Sequence, residues 1–259
     1  MSDYWAAVLS GEDPGLKSSQ RKFRRMPAPP RCKLCQAPFA GPFRPVLRVF
    51  GYNRWKLNQQ LCRKCITSLD KHNGGAEISV SLLYADIRGS TALAETMEPR
   101  EFTRTLDRFY ALVNRRIDQE QGAIDHMAGD GVMAFWIPGF VGPDHPTRAV
   151  AAGRHIVADL LGDAALDIAA GVAVHTGIAY VGVVGDVGSR DFTVLGDVAN
   201  TVARLASSAS HGELLMSEAI AEASGVDTTP LTRRVLELKG KAEPFPVWVV
   251  TSSTAPLSG

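Results

Sequence analysis

The chain has 259 residues, of which 45% are hydrophobic and 21% charged, and its formal net charge is +1 at pH 7. This is the composition of an ordinary folded protein. No apolar run reaches about 18 residues, so no membrane span is expected. The first residues, MSDYWAAVLSGEDPG, do not place an apolar segment after a basic one, so a signal peptide is not expected and the cytoplasm is the expected compartment.

The net charge hides an asymmetry between the two ends of the chain. Residues 1–75 hold 14 Lys and Arg against 4 Asp and Glu, whereas the rest holds 14 against 23. Opposite charges of this size suggest separate modules. We predict an N-terminal helix and a basic, proline-rich linker over 1–30, a cysteine-containing module over 31–75, and a larger domain over 76–259.

All four cysteines lie in the basic module, as CKLC and CRKC separated by 26 residues. Two such knuckles can supply the four thiolates of a tetrahedral zinc site, which predicts a small zinc-ribbon-like module. Four thiolates leave no open coordination position, so the zinc would be structural. The alternative is a redox pair or disulfides. The predicted zinc ligands are Cys32, Cys35, Cys62 and Cys65.

Basic residues alternate with Phe43, Tyr52 and Trp55 in the same module. This pattern fits either a nucleic-acid surface or a solvated face that packs on the acidic domain. We favour the second interpretation, so nucleic acid is not expected as a partner.

The remaining elements follow in chain order. ISVSLLYADIR is a buried strand, and GSTALAETM begins a short helix with Ser90 or Thr91 as its N-cap. The next stretch, EPREFTRTLDRFYALVNRRIDQEQ, has helical spacing, and AIDHMAG and GVMAFWI form a hairpin joined at GDG. HPTRAVAAGRHIVADLLGD is a helix, and LDIAAGVAVHTGIAYVGVVG holds two strand runs broken at HTG. The helix DVANTVARLASSA, the strand GELLMS, the short helix AIAEASG and the strands TRRVLELKG and FPVWVVT complete an α/β or α+β sandwich.

Two carboxylates lie where strands end. Asp86 precedes a glycine-containing turn, and Asp130 lies between two glycines in the predicted hairpin. Side by side, two such acids repel unless a divalent cation joins them, which indicates a two-metal site. Taken alone, Asp86 could equally be a turn or cap residue.

Further along the chain, Asn200 and Arg204 are four residues apart on one predicted helix and therefore share a face. An amide and a guanidinium there suit a sugar oxygen and a phosphate. An exposed arginine beside a cap-like asparagine is the plainer interpretation. Lys239, in LELKGKAEP, lies at a strand end.

Taken in order, these blocks resemble the class III nucleotidyl cyclase catalytic domain over residues 78–250. The family pattern of F-x-D-I-x-G-[FS]-T, a G-D hairpin, H-x-G, a helix with V-N-x-A-x-R, and L-K-G stands here as YADIRGST, AGDG, VHTG, TVLGDVANTVARL and LKG. Tyr84 and Ala199 replace the family's phenylalanine and valine. The resemblance implies a ferredoxin-like βαββαβ core, an antiparallel-rich α+β sheet, and a homodimer with two sites at its interface.

The resemblance also assigns roles. Two Mg²⁺ or Mn²⁺ ions per site would be held by Asp86, Asp130 and the Ile87 carbonyl, and the other chain would supply Asn200 for the ribose and Arg204 for the α-phosphate. The substrate is a nucleoside triphosphate, cyclised by attack of its 3′-oxygen on the α-phosphorus. The resemblance would also give phosphate-binding roles to Lys239 and Arg190. Independently of the resemblance, the backbone N–H groups of Gly89, Ser90 and Thr91, at the start of a predicted helix, would point at a phosphate.

At the two positions that select the base, the chain has His126 and Thr193. Adenylyl forms usually have Lys, with Asp or Thr as its partner, and guanylyl forms Glu and Cys. A histidine donor and a threonine acceptor match adenine N1 and N6, so ATP is the expected substrate. UTP or CTP, and then GTP, are alternatives, and His126 could also be a strand residue that never touches the base. A catalytically silent cyclase-like binding module and a zinc-dependent nucleic-acid binder are the remaining functional alternatives.

Overall fold

The computed structural model describes residues 2–27, 29–55, 58–71, 74–163, 166, 168–186 and 191–251. The chain forms two compact units. The first unit comprises Met1–Ser79, Ile137–Pro143 and Ile178–Gly196, and the second comprises Val80–Trp136, Asp144–Gly177 and Asp197–Gly259. Within the described residues, no helix is both long enough and apolar enough to cross a bilayer.

The described residues form ten α-helices and eight strands. The helices are α1 Ser2–Leu9, α2 Pro14–Arg24, α3 Arg44–Val49, α4 Arg63–Lys71, α5 Ser90–Thr96, α6 Pro99–Gln119, α7 Pro138–Val141, α8 His145–Gly162, α9 Asp197–Ser208 and α10 Glu218–Ser224. The strands are β1 Gly75–Ile87, β2 Ala123–Ala128, β3 Gly131–Trp136, β4 Ala170–Val184, β5 Asp191–Leu195, β6 Leu214–Ser217, β7 Thr232–Leu236 and β8 Phe245–Val250.

Helix α2 occupies most of the segment that the sequence analysis assigns to a linker. Asp13 caps it by accepting a hydrogen bond from the Leu16 amide at 2.6 Å, and Pro14 stands at its first turn, where a missing N–H costs nothing. Leu16 and Phe23 are buried on one face. The basic side chains hide this amphipathic pattern in the sequence, and the linker prediction is wrong over 14–24.

The second unit contains the predicted ferredoxin-like core. Strands and helices follow one another as β1, α6, β2, β3, α8 and β4, and the strands lie in the spatial order β2-β3-β1-β4. Strands β1, β2 and β3 pair antiparallel, and β6, β8 and β7 extend the sheet beyond β4. This confirms the predicted α+β class with an antiparallel-rich sheet.

The core of this unit lies between the sheet and the helices α6 and α8. Helix α6 buries one face, made of Phe109, Leu112, Val113 and Ile117, and packs against α8. Helix α8 in turn packs on β3 and β6. The turn between β2 and β3 and the end of β1 lie at the same end of the sheet.

Strand β4 is continuous through HTG, where the sequence analysis predicts a break. Thr176 is buried and donates to the Val80 carbonyl at 2.9 Å, which ties this point of β4 to β1. His175 therefore lies within the strand and not at its end. Its Nδ1 lies 2.7 Å from the Ser217 hydroxyl, and burial lowers its pKa to about 4, so it is a neutral structural residue.

Candidate active site and zinc site

The two predicted metal-binding carboxylates come from adjacent strands. Asp86, one residue from the end of β1, is paired in register with Gly131, the first residue of β3. Asp130 directly precedes Gly131 in the turn between β2 and β3, and its carbonyl accepts a hydrogen bond from the Ile87 amide at 3.1 Å. The pairing of β1 with β3 thus brings Asp86 and Asp130 to the same end of the sheet.

Glycine is favoured on both sides of Asp130, but for a different reason on each side. Gly129 has φ +61°, a left-handed conformation that favours glycine, and its carbonyl accepts a hydrogen bond from the Tyr110 hydroxyl. At Gly131 a Cβ would lie only 2.4 Å from the Tyr84 hydroxyl oxygen, so a side chain there would collide with the ring. Tyr84, Tyr110 and the two glycines together fix the position of Asp130.

The two carboxylates repel each other electrostatically. Burial, and then the charge of Asp130, raise the pKa of Asp86 to about 6. Burial and the charges of Asp86 and Asp130 also raise the pKa of Tyr84. Negative charge is therefore concentrated here beyond what the nearby cations compensate, which is the electrostatic setting of a cation site.

The helix that follows Asp86, α5, has a different N-cap from the predicted one. Gly89, with φ +67°, is the N-cap of α5, and no side chain caps this helix. Ser90 is the first helical residue, and its hydroxyl donates to the Asp130 carboxylate. The prediction of Ser90 or Thr91 as N-cap is wrong because the Ser90 hydroxyl is directed to the carboxylate. Thr91 is exposed.

His126 stands in a β-bulge that sequence spacing does not reveal. The register between β2 and β3 shifts between Ile124 and His126, so Asp125 is the extra residue. The Asp125 side chain is 2% exposed and that of His126 46% exposed. The His126 Nδ1 lies 2.7 Å from the Asp125 carboxylate. Asp125 is the site residue that the sequence analysis did not assign, and the signal available for it was an acid directly before a strand histidine.

The second predicted group of side chains lies on α9 and the turn that follows β7. Asn200 is exposed, and the half-buried Arg204 has its guanidinium against this turn, since a Cβ on Gly240 would lie 3.4 Å from Arg204 Nη1. Lys239 is exposed in the same turn. The next lysine, Lys241, forms an ion pair with Asp197 at the start of α9. The structure thus brings the predicted ribose and phosphate ligands of α9 and the LKG turn together.

The other two predicted site residues are Thr193 and Arg190. Thr193 is a half-buried residue of β5, paired with Gly182 of β4 in the first unit. Arg190 lies outside the described residues.

The four cysteines converge in the first unit. Their Sγ atoms all lie within 4.8 Å of one another, and the spacings Cys35–Cys62 and Cys32–Cys65 are 3.7 Å and 4.0 Å. The Cys62 amide donates to Cys32 Sγ at 3.3 Å, and the Cys65 amide to Cys62 Sγ at 3.4 Å. Around the cysteines the described β-structure consists of two isolated bridges, Arg31–Pro38 and Arg54–Cys62.

Comparisons with known proteins identify a family match over residues 75–251. Residues 75–251 match the family model "Adenylate and Guanylate cyclase catalytic domain". An adenylate cyclase of Anabaena cylindrica is 30% identical over 134 residues, 49% of this chain and 26% of that protein. An uncharacterised protein of Mycobacterium tuberculosis is 32% identical over 133 residues, 51% of this chain and 24% of that protein. The chain thus spans about a quarter of the length of these curated relatives.

Solved structures of cyclases share the fold of this chain. The guanylyl cyclase Cya2 has a TM-score of 0.63 and 24% identity, covering 68% of this chain and 92% of that one, which indicates a shared fold. The adenylyl cyclase CyaB of P. aeruginosa has a TM-score of 0.59 and 25% identity, covering 69% and 96%. With the family model covering more than half of its residues, the chain belongs to the adenylate and guanylate cyclase catalytic-domain family.

Proposed function

We propose that the protein is an adenylate cyclase that converts ATP to 3′,5′-cyclic AMP and pyrophosphate at sites in a homodimer interface. The observation that carries this proposal is the pair of carboxylates, Asp86 and Asp130, held at one end of the sheet by the β1–β3 register. The family membership supports the reaction class, and the two base-selecting positions support ATP over the other nucleotides.

The carboxylate pair fits a divalent-cation site. Asp86 and Asp130 offer hard oxygen ligands of the kind that Mg²⁺ and Mn²⁺ prefer, and the Ile87 carbonyl is a third candidate. The raised pKa of Asp86 reflects burial and repulsion that a cation would offset. When bound, two such ions acidify the ribose 3′-hydroxyl and neutralise triphosphate charge.

The chain's own side chains bind and orient the substrate in this proposal. Asn200 of one protomer holds the ribose, so that its 3′-oxygen stands in line with the α-phosphorus. Arg204 donates to the α-phosphate oxygens, where charge develops as the bond to pyrophosphate breaks. Lys239 binds the terminal phosphates.

The Asp125–His126 pair bears on base selection. An ionised carboxylate only accepts hydrogen bonds, so His126 Nδ1 carries a proton toward Asp125. Adenine N1 is an acceptor, so Nε2 binds it only when Nε2 also carries a proton. Thr193 is the proposed acceptor for the adenine amino group. A neutral His126 would offer Nε2 as an acceptor, which suits the N1–H of guanine.

The direct test is to incubate the protein with Mn²⁺ and each of ATP, GTP, CTP and UTP and to identify the products by mass spectrometry. We expect cyclic AMP with an equal amount of pyrophosphate and much smaller amounts of the other cyclic nucleotides. Cyclic UMP or CMP as the main product would assign a pyrimidine cyclase, and cyclic GMP a guanylate cyclase. No cyclic product from any of the four would indicate a silent binding module.

We also infer that the four cysteines hold one structural zinc ion. A tetrahedral zinc–thiolate site with Zn–S bonds of about 2.3 Å has S–S edges of about 3.8 Å, close to the two spacings of 3.7 Å and 4.0 Å. Hydrogen bonds with the other three thiols raise the pKa of Cys65 well above its usual range, so the cluster would not hold four thiolates without a cation.

A further inference from the structure

A cavity of about 470 Å³ opens in the first unit among residues 30–54. Three arginines line it, Arg44, Arg48 and Arg54, together with the rings of Phe39 and Tyr52. Its volume is within the range of small-molecule sites, about 300–1,000 Å³. None of these residues belongs to the proposed cyclase site or to the cysteine cluster.

The chain segment that lines this cavity is strongly basic. Residues 14–69 contain 13 Lys and Arg and no Asp or Glu. Arg44 and Arg48 are four residues apart on α3, a spacing at which like charges repel. Both are exposed, and in the described ranges no ion pair with a carboxylate is recorded for either. An anion bound between them would relieve the repulsion.

Three other lining residues, Phe39, Tyr52 and Arg54, are held in place by contacts within the protein. The Arg54 guanidinium lies 5.4 Å from the Phe39 ring centroid and donates to the Gln59 side chain at 3.1 Å. Tyr52 accepts a hydrogen bond from Lys64 at 2.9 Å. Contacts within the protein therefore hold Arg54, Phe39 and Tyr52 before any ligand enters, while Arg44 and Arg48 are exposed.

We propose that this cavity binds an organic phosphate of nucleotide size with at least two negative charges, such as a nucleoside diphosphate. Three guanidinium groups provide bidentate donors for terminal phosphate oxygens, and Phe39, Tyr52 and Pro30 provide apolar surface for the organic part. A nucleic-acid strand offers the same phosphate chemistry with one charge per diester, and the cluster of three arginines favours the more highly charged terminal phosphate. The proposal does not depend on the cyclase reaction.

Isothermal titration of the full chain in its zinc-bound form, without added Mg²⁺ or Mn²⁺, tests this site. The probes are ADP, pyrophosphate and a single-stranded RNA oligonucleotide. We expect ADP to bind, and Arg44→Ala/Arg48→Ala to weaken that binding by about tenfold or more. The charge-matched control Arg21→Ala/Arg24→Ala removes two exposed arginines of α2 that do not line the cavity, and it should retain the wild-type affinity.

Three results would overturn the proposal. The first is the absence of both ADP and pyrophosphate binding to the wild type. The second is an equal loss in the two double variants, which would assign binding to diffuse charge. The third is RNA binding that is tighter than ADP binding and depends on Arg44 and Arg48, which would assign the surface to nucleic acid. If Arg44→Ala/Arg48→Ala loses its zinc, Arg54→Gln takes its place in the same comparison.

Discussion

Replacing Asp86 with asparagine is expected to abolish catalysis and to stabilise the protein when no divalent cation is bound at the carboxylates. Burial and the neighbouring Asp130 raise the pKa of Asp86 from 3.8 to about 6. The ionised form is therefore disfavoured in the folded protein. The contribution of Asp86 to the stability is most favourable where the group is protonated, below about pH 4, and this contribution is lost as the pH rises through about 6.

The size of the effect follows from that shift. A change of about two pH units corresponds to about 3 kcal/mol for a group fully withdrawn from solvent. Asp86 is only half-buried, and solvent screening reduces the expected penalty to about 1–2 kcal/mol. Asparagine has nearly the same shape and no charge, so the free energy of unfolding should rise by this amount at neutral pH. The gain should fall toward zero near pH 4.

Urea unfolding followed by circular dichroism, in buffer without added Mg²⁺ or Mn²⁺, measures the difference. Asp107→Asn, an exposed position on α6, is the matched control and should change stability little at any pH. Added Mn²⁺ should stabilise the wild type and not Asp86→Asn, because only the wild type has both carboxylates. The reasoning fails if Asp86→Asn is no more stable than wild type at neutral pH, or if its gain does not change between pH 7 and pH 4.

Three further predictions concern the base-selecting pair and the zinc. His126→Lys should sharpen the preference for ATP in the four-nucleotide assay, and an unchanged product profile would mean that His126 does not contact the base. Asp125→Asn replaces the carboxylate beside His126 Nδ1 with an amide, which no longer holds the ring by the same hydrogen bond, so the ATP-to-GTP ratio of kcat/KM should fall; an unchanged ratio would mean that Asp125 has only a packing role. Metal analysis should find one zinc per chain, and its removal should unfold residues 30–70 while leaving the helical and sheet signal of the larger domain. Zinc-free protein with four oxidised thiols would contradict the proposed site.

Much of the fold could be predicted from the sequence because its signals are local. The hairpin of β2 and β3 follows from glycines on both sides of Asp130 between two strand-like runs, and α6 follows from apolar residues at helical spacing. Helix α2 was missed because its pattern depends on only two buried residues, Leu16 and Phe23, among many basic ones. The division of the chain at residues 30 and 75 stays a prediction.

The details of the site depended on tertiary contacts. The Ser90 hydroxyl is directed to Asp130, forty residues away in the chain, so local capping rules pointed to the wrong N-cap. The bulge at Asp125 depends on how β2 pairs with β3, and only this pairing shows that Asp125 is buried while the adjacent His126 is exposed. Strand β4 continues through HTG because the Thr176 hydroxyl donates a hydrogen bond to β1. The tendency of glycine to break a strand takes no account of such a tertiary contact.

The central claim, that each active site combines Asp86 and Asp130 of one chain with Asn200 and Arg204 of the other, is tested most directly by complementation. Asp86→Ala and Arg204→Ala homodimers should both be inactive, because every site carries the lesion. In a mixed dimer one site collects both lesions and the other neither. With random association about half of the dimers are mixed, so about a quarter of all sites are intact in a two-fold symmetric interface. Co-expressed and co-purified chains should therefore recover about a quarter of wild-type cyclase activity, and mixed dimers as inactive as both parents would contradict the shared site.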